Sequence, residues 1–374
     1  MSDAIRLVVM PKWGLAMQEG MVARWLVDEG ATIQAGDEIV DIETSKIANV
    51  LESPVSGPLR RRLVDEGETV PVGALLGVVA DAAVSDAELD AFVARFQEEF
   101  AVHAAAAAET GPEPATIEAG GRRLRYLEMG AGDGPPVIFI HGFGGDLYSW
   151  QFNQEALAES HVTYALDLPG HGGSTKDLGG GHVHVGALAT AVIDFMDAKA
   201  IAKAHLVGHS LGGAIALDLA LNHPERVASA TLVCSAALGP EINMAYIDGF
   251  MHAKRRKQLQ PVLAMLVADP AMISRDMIED VLKFRRLDGV EAALNRIIDD
   301  TFAGGRQALE LTGRLPELTV PVQVIWGRQD QVLPVAHSEG LPDSIPVTVF
   351  DDAGHMAHME KAAEVNDKLR AFIG

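Results

Sequence analysis

The stretch that most constrains this chain is Ala204 to Gly213, which reads Ala-His-Leu-Val-Gly-His-Ser-Leu-Gly-Gly. An apolar run too short for a helix meets Gly208-His209-Ser210-Leu211-Gly212, and a helix-forming run from Ala214 to Leu221 follows at once. A strand that turns straight into a helix through G-x-S-x-G leaves little room for side chains beside the serine, which accounts for Gly208 and Gly212. The turn is expected to hold Ser210 in a strained backbone with its hydroxyl aimed out of a sheet. By itself a serine hydroxyl is a weak nucleophile. It needs a base, an acid that orients the base, and N–H donors for a developing oxyanion.

Partners for such a serine belong where parallel strands end. From about residue 116, strand-like and helix-like runs alternate, the pattern of a mostly parallel α/β sheet. Arg122–Glu128 reads as an edge strand, and Val137–Ile140, Val162–Leu166, Ala230–Val233, Val322–Trp326 and Val347–Phe350 as further strands. Val183–Ala198 and Lys361–Phe372 read as helices. The strand ending at Trp326 runs into Gly327-Arg328-Gln329-Asp330, which offers Asp330 as the acid. The strand ending at Phe350 runs into Asp351-Asp352-Ala353-Gly354-His355, which offers His355 as the base behind a small residue suited to a tight turn. His358 is the rival base. Asp351 and Asp352 are rival acids, placed too close in sequence to face the far ring nitrogen of His355. For the oxyanion, Leu211 supplies one backbone N–H at a helix start and Phe143, in His141-Gly142-Phe143-Gly144, the other. His141, His171 and His209 read as scaffold. The thirteen histidines show no metal-ligand spacing such as H-E-x-x-H, and no metal is expected.

Residues 5–80 hold an internal repeat. Leu26-Val27-Asp28-Glu29-Gly30 recurs as Leu63-Val64-Asp65-Glu66-Gly67, and at the same spacing Gly20 matches Gly57 and Gly36 matches Gly73. Two short, β-branched, glycine-punctuated halves predict two small packed sheets related by a pseudo-twofold rather than a solenoid. Between the halves, Glu43-Thr44-Ser45-Lys46 lies between strand-like flanks and predicts a hairpin with Lys46 at its tip. Residues 81–115 are read as a linker. Ser85-Asp86-Ala87-Glu88 is a capping box, and Leu89, Phe92, Val93, Phe96 and Phe100 follow at helical spacing. The helix either docks on its own chain, the reading preferred here, or binds a partner. A flexible stretch of this length would span about 30 Å.

At 374 residues, with 48% hydrophobic and 22% charged, the chain has room for two or three domains with packed cores. Its net charge of −22 argues against nucleic acid and anionic membrane as general partners. The single cysteine, Cys234, allows no intrachain disulfide and fits a reducing compartment. Neither a signal-peptide pattern nor an apolar run of membrane-spanning length is apparent, so a cytoplasmic protein is expected. The insert from about 238 to 314, between two strands, is expected to form a lid. It carries Lys254-Arg255-Arg256-Lys257, the densest basic run in an acidic chain and a candidate contact for the phosphates of a polyanionic ligand. A solvated helix face is the alternative.

Met10-Pro11-Lys12, Gly20, Glu43-Thr44-Ser45-Lys46 and Glu52-Ser53-Pro54 resemble a lipoyl domain over about residues 1–80. That resemblance implies lipoate in amide linkage on Lys46. The related biotin carriers flank their lysine with methionines, whereas Lys46 stands between Ser45 and Ile47. Residues 116–374 resemble the α/β-hydrolase fold through His141-Gly142, Asp167-x-Pro169-Gly170-x-Gly172-x-Ser174, the serine elbow, Asp330 and Gly354-His355, in the order Ser210, Asp330, His355. A lipoyl domain fused to such a domain resembles the acetyltransferase components of acetoin dehydrogenase complexes. The H-x-x-x-D-G motif of the more usual 2-oxo acid dehydrogenase acyltransferases is absent. The resemblance implies acetyl transfer from a lipoyl-lysine arm to coenzyme A through Ser210, His355 and Asp330. As partners it implies a thiamine-diphosphate-dependent dehydrogenase component and a flavin dihydrolipoamide dehydrogenase, in a homo-oligomeric assembly. The alternative is a serine hydrolase or esterase that uses the tethered lipoyl domain only for docking.

Overall fold

The computed structural model describes residues 5–11, 19–44, 48–81, 83–107 and 112–374. The chain divides into two compact units, Met1–Gly111 with Ala271–Asp280, and Pro112–Pro270 with Val281–Gly374.

The first unit is a small β-domain of eight strands: β1 (Ile5–Val9), β2 (Glu19–Trp25), β3 (Thr32–Ile33), β4 (Glu38–Glu43), β5 (Ala48–Glu52), β6 (Gly57–Arg62), β7 (Thr69–Pro71) and β8 (Leu75–Ala80). They form two antiparallel sheets in the orders β1-β8-β6-β3 and β5-β4-β2-β7. The repeat explains this arrangement. Advancing each strand of the first half to its counterpart in the second turns β1, β2, β3 and β4 into β5, β6, β7 and β8. That operation converts one sheet order into the other, so the pseudo-twofold exchanges the sheets. Backbone conformation follows the same rule: Gly30 and Gly67 have φ of 85° and 86°, and Gly36 and Gly73 have 92° and 83°. Turns at these positions need a left-handed residue, which glycine supplies without a Cβ penalty.

Inward residues of both sheets make one core, including Val22, Ile33, Ile39, Ile42, Leu59 and Val79. In β2 the alternation of buried residues slips at a bulge between Val22 and Arg24, which turns Trp25 inward. The Trp25 indole N–H then donates to the Val64 carbonyl at 3.0 Å.

Helix α1 (Asp86–Ala107) follows directly. The capping box is formed: Glu88 accepts from the Ser85 backbone at 2.9 Å, and Ser85 Oγ accepts from the Glu88 N–H. Leu89 is fully buried against Leu75, Val78 and Ala80 of β8, with Val93 and Phe96 packed beside it. Arg60 and Arg61 both reach the Asp86 carboxylate, and Arg61 foremost holds its pKa below the usual carboxylate value. The helix therefore docks on its own domain and occupies most of the stretch over which a flexible tether could have run.

The second unit is built on an eight-stranded sheet. Its strands are β9 (Ala115–Ala119), β10 (Arg122–Met129), β11 (Val137–Ile140), β12 (Thr163–Leu166), β13 (Ala204–His209), β14 (Val227–Val233), β15 (Val322–Gly327) and β16 (Val347–Phe350), in the order β16-β15-β14-β13-β11-β12-β10-β9. The strands from β16 to β12 run parallel, while β10 is antiparallel to both β12 and β9. The edge is thus β9, not the Arg122–Glu128 strand: β9 and β10 form a hairpin through Gly120 and Gly121, whose φ values are 55° and 73°. Strands β11, β14 and β15 are nearly continuous apolar runs because helices cover both sheet faces.

The helices of this unit are α2 (Gln151–Ala158), α3 (Val185–Ala198) and α4 (Leu211–Asn222), then α5 (Met244–His252), α6 (Arg256–Leu263), α7 (Arg275–Arg285, its residues from Val281 onward) and α8 (Val290–Thr301) in the insert. Two more, α9 (Ala357–Glu360) and α10 (Ala362–Ile373), close the chain. From β11 the chain goes to β12 on one side and later to β13 on the other, and this reversal opens a crevice at the strand ends.

Candidate active site

Ser210 joins the last residue of β13 to the first of α4 with φ 54° and ψ −115°, a sterically disfavoured conformation for a residue with a side chain. Its backbone is pinned on both sides, with its N–H donating to the Val233 carbonyl at 3.0 Å and its carbonyl accepting from Ala236. The flanking glycines are required by contact rather than by φ. A Cβ on Gly208 would lie 2.1 Å from the Gly212 carbonyl oxygen, and one on Gly212 would lie 2.1 Å from that of Ile140.

Two strands away, the turn after β15 carries Asp330 and the loop after β16 carries His355. The structure brings them together: His355 Nδ1 is 2.7 Å from Asp330 Oδ2, and both side chains are buried. The other carboxylate oxygen, Oδ1, accepts the N–H groups of Val332 and Leu333 at 2.8 and 2.9 Å. With one oxygen held by backbone and the other facing the imidazole, Asp330 fixes Nδ1 as the protonated nitrogen and leaves Nε2 as the basic one.

The rivals lie elsewhere. Asp351 pairs with Arg328 and Asp352 with Lys361, both acids largely exposed. His358 is fully buried between the Trp150 and His209 rings at 4.3 and 4.6 Å, and burial pushes its pKa down to about 3.

Leu211 opens α4, so it carries one of the N–H groups a helix leaves without an intrahelical partner. Phe143 sits after Gly142, where a Cβ would fall 3.0 Å from that of Ser210. Its ring meets those of Phe250 and Phe302 edge-on at 5.7 and 6.0 Å, giving the loop an aromatic wall. His141 bonds the Gly142 carbonyl through Nδ1 at 2.7 Å and accepts from the Leu168 N–H through Nε2 at 3.0 Å. Both ring nitrogens thus hold backbone, and burial keeps the ring neutral.

Sequence reasoning missed Glu360, whose carboxylate accepts from Gly354 N–H at 2.8 Å and Ala268 N–H at 2.7 Å. It ties the loop presenting His355 to the insert, and burial raises its pKa. Cys234 was missed as well. Its Sγ lies, with ligand atoms of Asp330 and His355, in a group spanning no more than 4.8 Å, and donates toward the Gly354 carbonyl at 3.7 Å. Burial pushes the thiol's pKa well up, so it stays protonated beside the pair. Neither residue sits in a pattern that sequence spacing could reveal.

Of the basic run, Lys254 lines a cavity of about 790 Å³ in the insert, while Arg255, Arg256 and Lys257 are exposed at the start of α6 and do not line it. In the first unit, β4 and β5 pair with Glu43 opposite Ala48. Lys46 falls in the four residues joining them and lies outside the described residues.

Residues 135–362 match the family described as alpha/beta hydrolase fold, and residues 6–79 match the biotinyl/lipoyl family described as biotin-requiring enzyme. Among solved structures, a meta-cleavage product hydrolase from Pseudomonas fluorescens superposes with a TM-score of 0.63 at 24% identity, covering 69% of this chain and 97% of that one. A bacterial membrane phospholipase A gives 0.62 at 24%, covering 76% and 94%. Both likenesses concern the fold.

The dihydrolipoyllysine-residue acetyltransferase component of the acetoin cleaving system from Pseudomonas putida is 46% identical over 99% of this chain and 98% of its own length. The component of the same name from Cupriavidus necator is 45% identical over 100% and 98%. Architecture, site and similarity over the full length agree, and the chain belongs to the family of dihydrolipoyllysine-residue acetyltransferase components of acetoin cleaving systems.

Proposed function

We propose that this protein transfers an acetyl group from a lipoyl-lysine thioester carried on Lys46 to coenzyme A, with Ser210 as nucleophile, His355 as base and Asp330 as its orienting acid. The observation that supports it most is the buried His355–Asp330 pair at 2.7 Å behind a strained elbow serine, in a chain that also carries a lipoyl-type domain. The fit of lipoate to Lys46 rests on the β4–β5 register, which leaves four residues between a closed strand pair, a connection short enough to present a lysine at a hairpin end. Bound there, the group supplies a thiol that carries acetyl as a thioester.

His355 Nε2 takes the Ser210 proton as Oγ attacks the thioester carbonyl carbon. The N–H groups of Phe143 and Leu211 hold the oxyanion, in a site where fixed donors need no reorganisation. As the carbon–sulfur bond breaks, His355 returns the proton to the departing sulfur and acetyl remains on Ser210. The coenzyme A thiol then gives its proton to His355 and attacks the acyl carbon. Ser210 leaves and recovers that proton, which closes the cycle without net redox change. Asp330 holds the ring through Nδ1 and steadies the positive charge that forms on it.

Residues 1–80 serve as the lipoyl domain, 81–115 connect it, and 116–374, with a lid over about 238–314, perform the transfer. Of the basic run in that lid, Lys254 lines the cavity of about 790 Å³, where its charge would attract the coenzyme's phosphates. A thiamine-diphosphate-dependent component would load the arm and a dihydrolipoamide dehydrogenase would reoxidise it, with this chain as a homo-oligomer in the cytoplasm. No helix among the described residues is long and apolar enough to cross a membrane.

The test incubates lipoylated protein with an acetyl donor and coenzyme A. Acetyl-coenzyme A should form in the wild type and not in Lys46→Arg, whose Ser210 still reacts with a small activated ester. Release of free acetate in place of acetyl-coenzyme A would make the protein a hydrolase. Unmodified Lys46 in tryptic spectra of native protein would remove the arm.

A further inference from the structure

Two neighbouring cavities open on the second unit. The one of about 790 Å³ is lined by Lys254, Arg285 and Arg286 from the insert, and another of about 540 Å³ by Arg123 and Lys176. They share Leu287 and Asp288 in their linings and so lie side by side as one grooved surface. Each has a volume within the range of small-molecule sites, about 300–1,000 Å³.

Five cations face three acids, Glu118, Asp288 and Glu291, in a chain whose net charge is −22. Two of the cations serve the fold. Lys176 Nζ donates to the carbonyls of His171, Gly172 and Ser174, and Arg285 donates to those of Met251 and Ala253. The other three, Arg123, Lys254 and Arg286, form no ion pair among the described residues.

At the seam of the two cavities stands Leu287, 54% exposed and the most exposed large apolar side chain among the described residues. An apolar shelf flanked by unpaired cations suits a flat heterocycle bearing several phosphates. Arg285 also connects the groove to the acyl site. Its guanidinium lies 5.7 Å from the centre of the Phe250 ring, and that ring packs on Phe143 and on Gly144, where a Cβ would meet it at 2.5 Å. One aromatic ring thus separates the groove from the loop proposed to hold the oxyanion.

We infer that this groove binds the phosphorylated nucleotide end of the acyl acceptor, with Leu287 beneath the purine and Arg123, Lys254 and Arg286 on the phosphates. The inference rests on coenzyme A being the acceptor and names where it is gripped. It moves the binding site from the exposed turn at Arg255–Lys257 to the groove, with Lys254 common to both.

The test measures acetyl transfer by lipoylated protein to coenzyme A, to dephospho-coenzyme A and to pantetheine. Lys254→Ala/Arg286→Ala and, separately, Leu287→Asp should each raise KM for coenzyme A by about tenfold or more, since hydrogen bonds to charged groups are the strong ones. Their KM for pantetheine, which lacks the nucleotide, should stay within about twofold of wild type, on the same reasoning. Arg255→Ala/Arg256→Ala should leave all three acceptors unchanged. An unaltered coenzyme A KM in both groove variants would overturn the site, as would an equal rise for pantetheine. Arg286→Gln, which removes only charge and is exposed, keeps the test valid if a truncation misfolds. Failure of the acceptor itself reads differently: wild-type protein would then release acetate and make no acetyl-coenzyme A.

Discussion

The His209 Nε2–H donates to the carbonyl oxygen of His355 at 2.9 Å. His209 immediately precedes Ser210, so the residue beside the proposed nucleophile holds the backbone of the proposed base, while the two imidazoles lie 4.6 Å apart. His209→Phe keeps a ring but strands a buried carbonyl. It should cost about 1–3 kcal/mol of stability, about 2–4 °C of Tm per kcal/mol for a domain of this size. Freed from its tether, the base should also act up to about 100-fold more slowly. A kcat equal to wild type would show that the bond positions nothing.

Ser210→Ala and His355→Ala should each lower acyl transfer to a similar residual level, and the double variant should be little worse than either, because residues that act as one unit lose their effect together. The assay is steady-state acetyl transfer with all three variants at equal lipoylation. Multiplicative losses would separate the two residues' roles.

Docking of α1 can be read out by stability. Leu89 is fully buried against β8, and Leu89→Ala should destabilise the first unit by about 2–5 kcal/mol. Limited proteolysis should then cut near residues 81–85 much faster than in wild type, while Ser210 keeps its reactivity toward a neutral ester. Equal protection of that segment would mean the helix adds little to the domain.

Stability should fall on acidification because several histidines are buried neutral. Burial depresses the pKa of His141, His171 and His209, with His205 at about 4 and His358 at about 3. Below its unfolded pKa of about 6.5 the unfolded chain binds a proton at each of these sites that the folded chain does not. Stability due to each neutral site is therefore complete above that pH and is lost as pH falls toward the folded value, by about 1.4 kcal/mol per pH unit per histidine. Urea midpoints between pH 7.5 and 5 should drop steeply, and His358→Leu should reduce the slope by about one proton. A slope unchanged by that substitution would mean His358 is charged in the folded protein.

Local patterns carried much of this architecture. The spacing of Gly30 and Gly36 against Gly67 and Gly73 encodes two related sheets, because each turn repeats the same left-handed requirement. The elbow at Ser210 is legible for the same reason: glycines on either side of a serine, between a β-run and a helix, record contacts only a few residues away. His355 and Asp330 could be chosen because strand ends in a parallel sheet converge.

What tertiary structure alone decided is everything that depends on distant segments meeting. Glu360 acquires its role from the N–H groups of Gly354 and Ala268, and Cys234 from lying beside Asp330 and His355. Helix α1 was legible as a helix, yet its attachment required Arg60 and Arg61 of β6 and Leu75 of β8 to face it. The basic run was conspicuous in the sequence, but charge density along a chain is not charge density in space. Arg123 and Arg286 are far apart in sequence, yet they line two cavities that share Leu287 and Asp288.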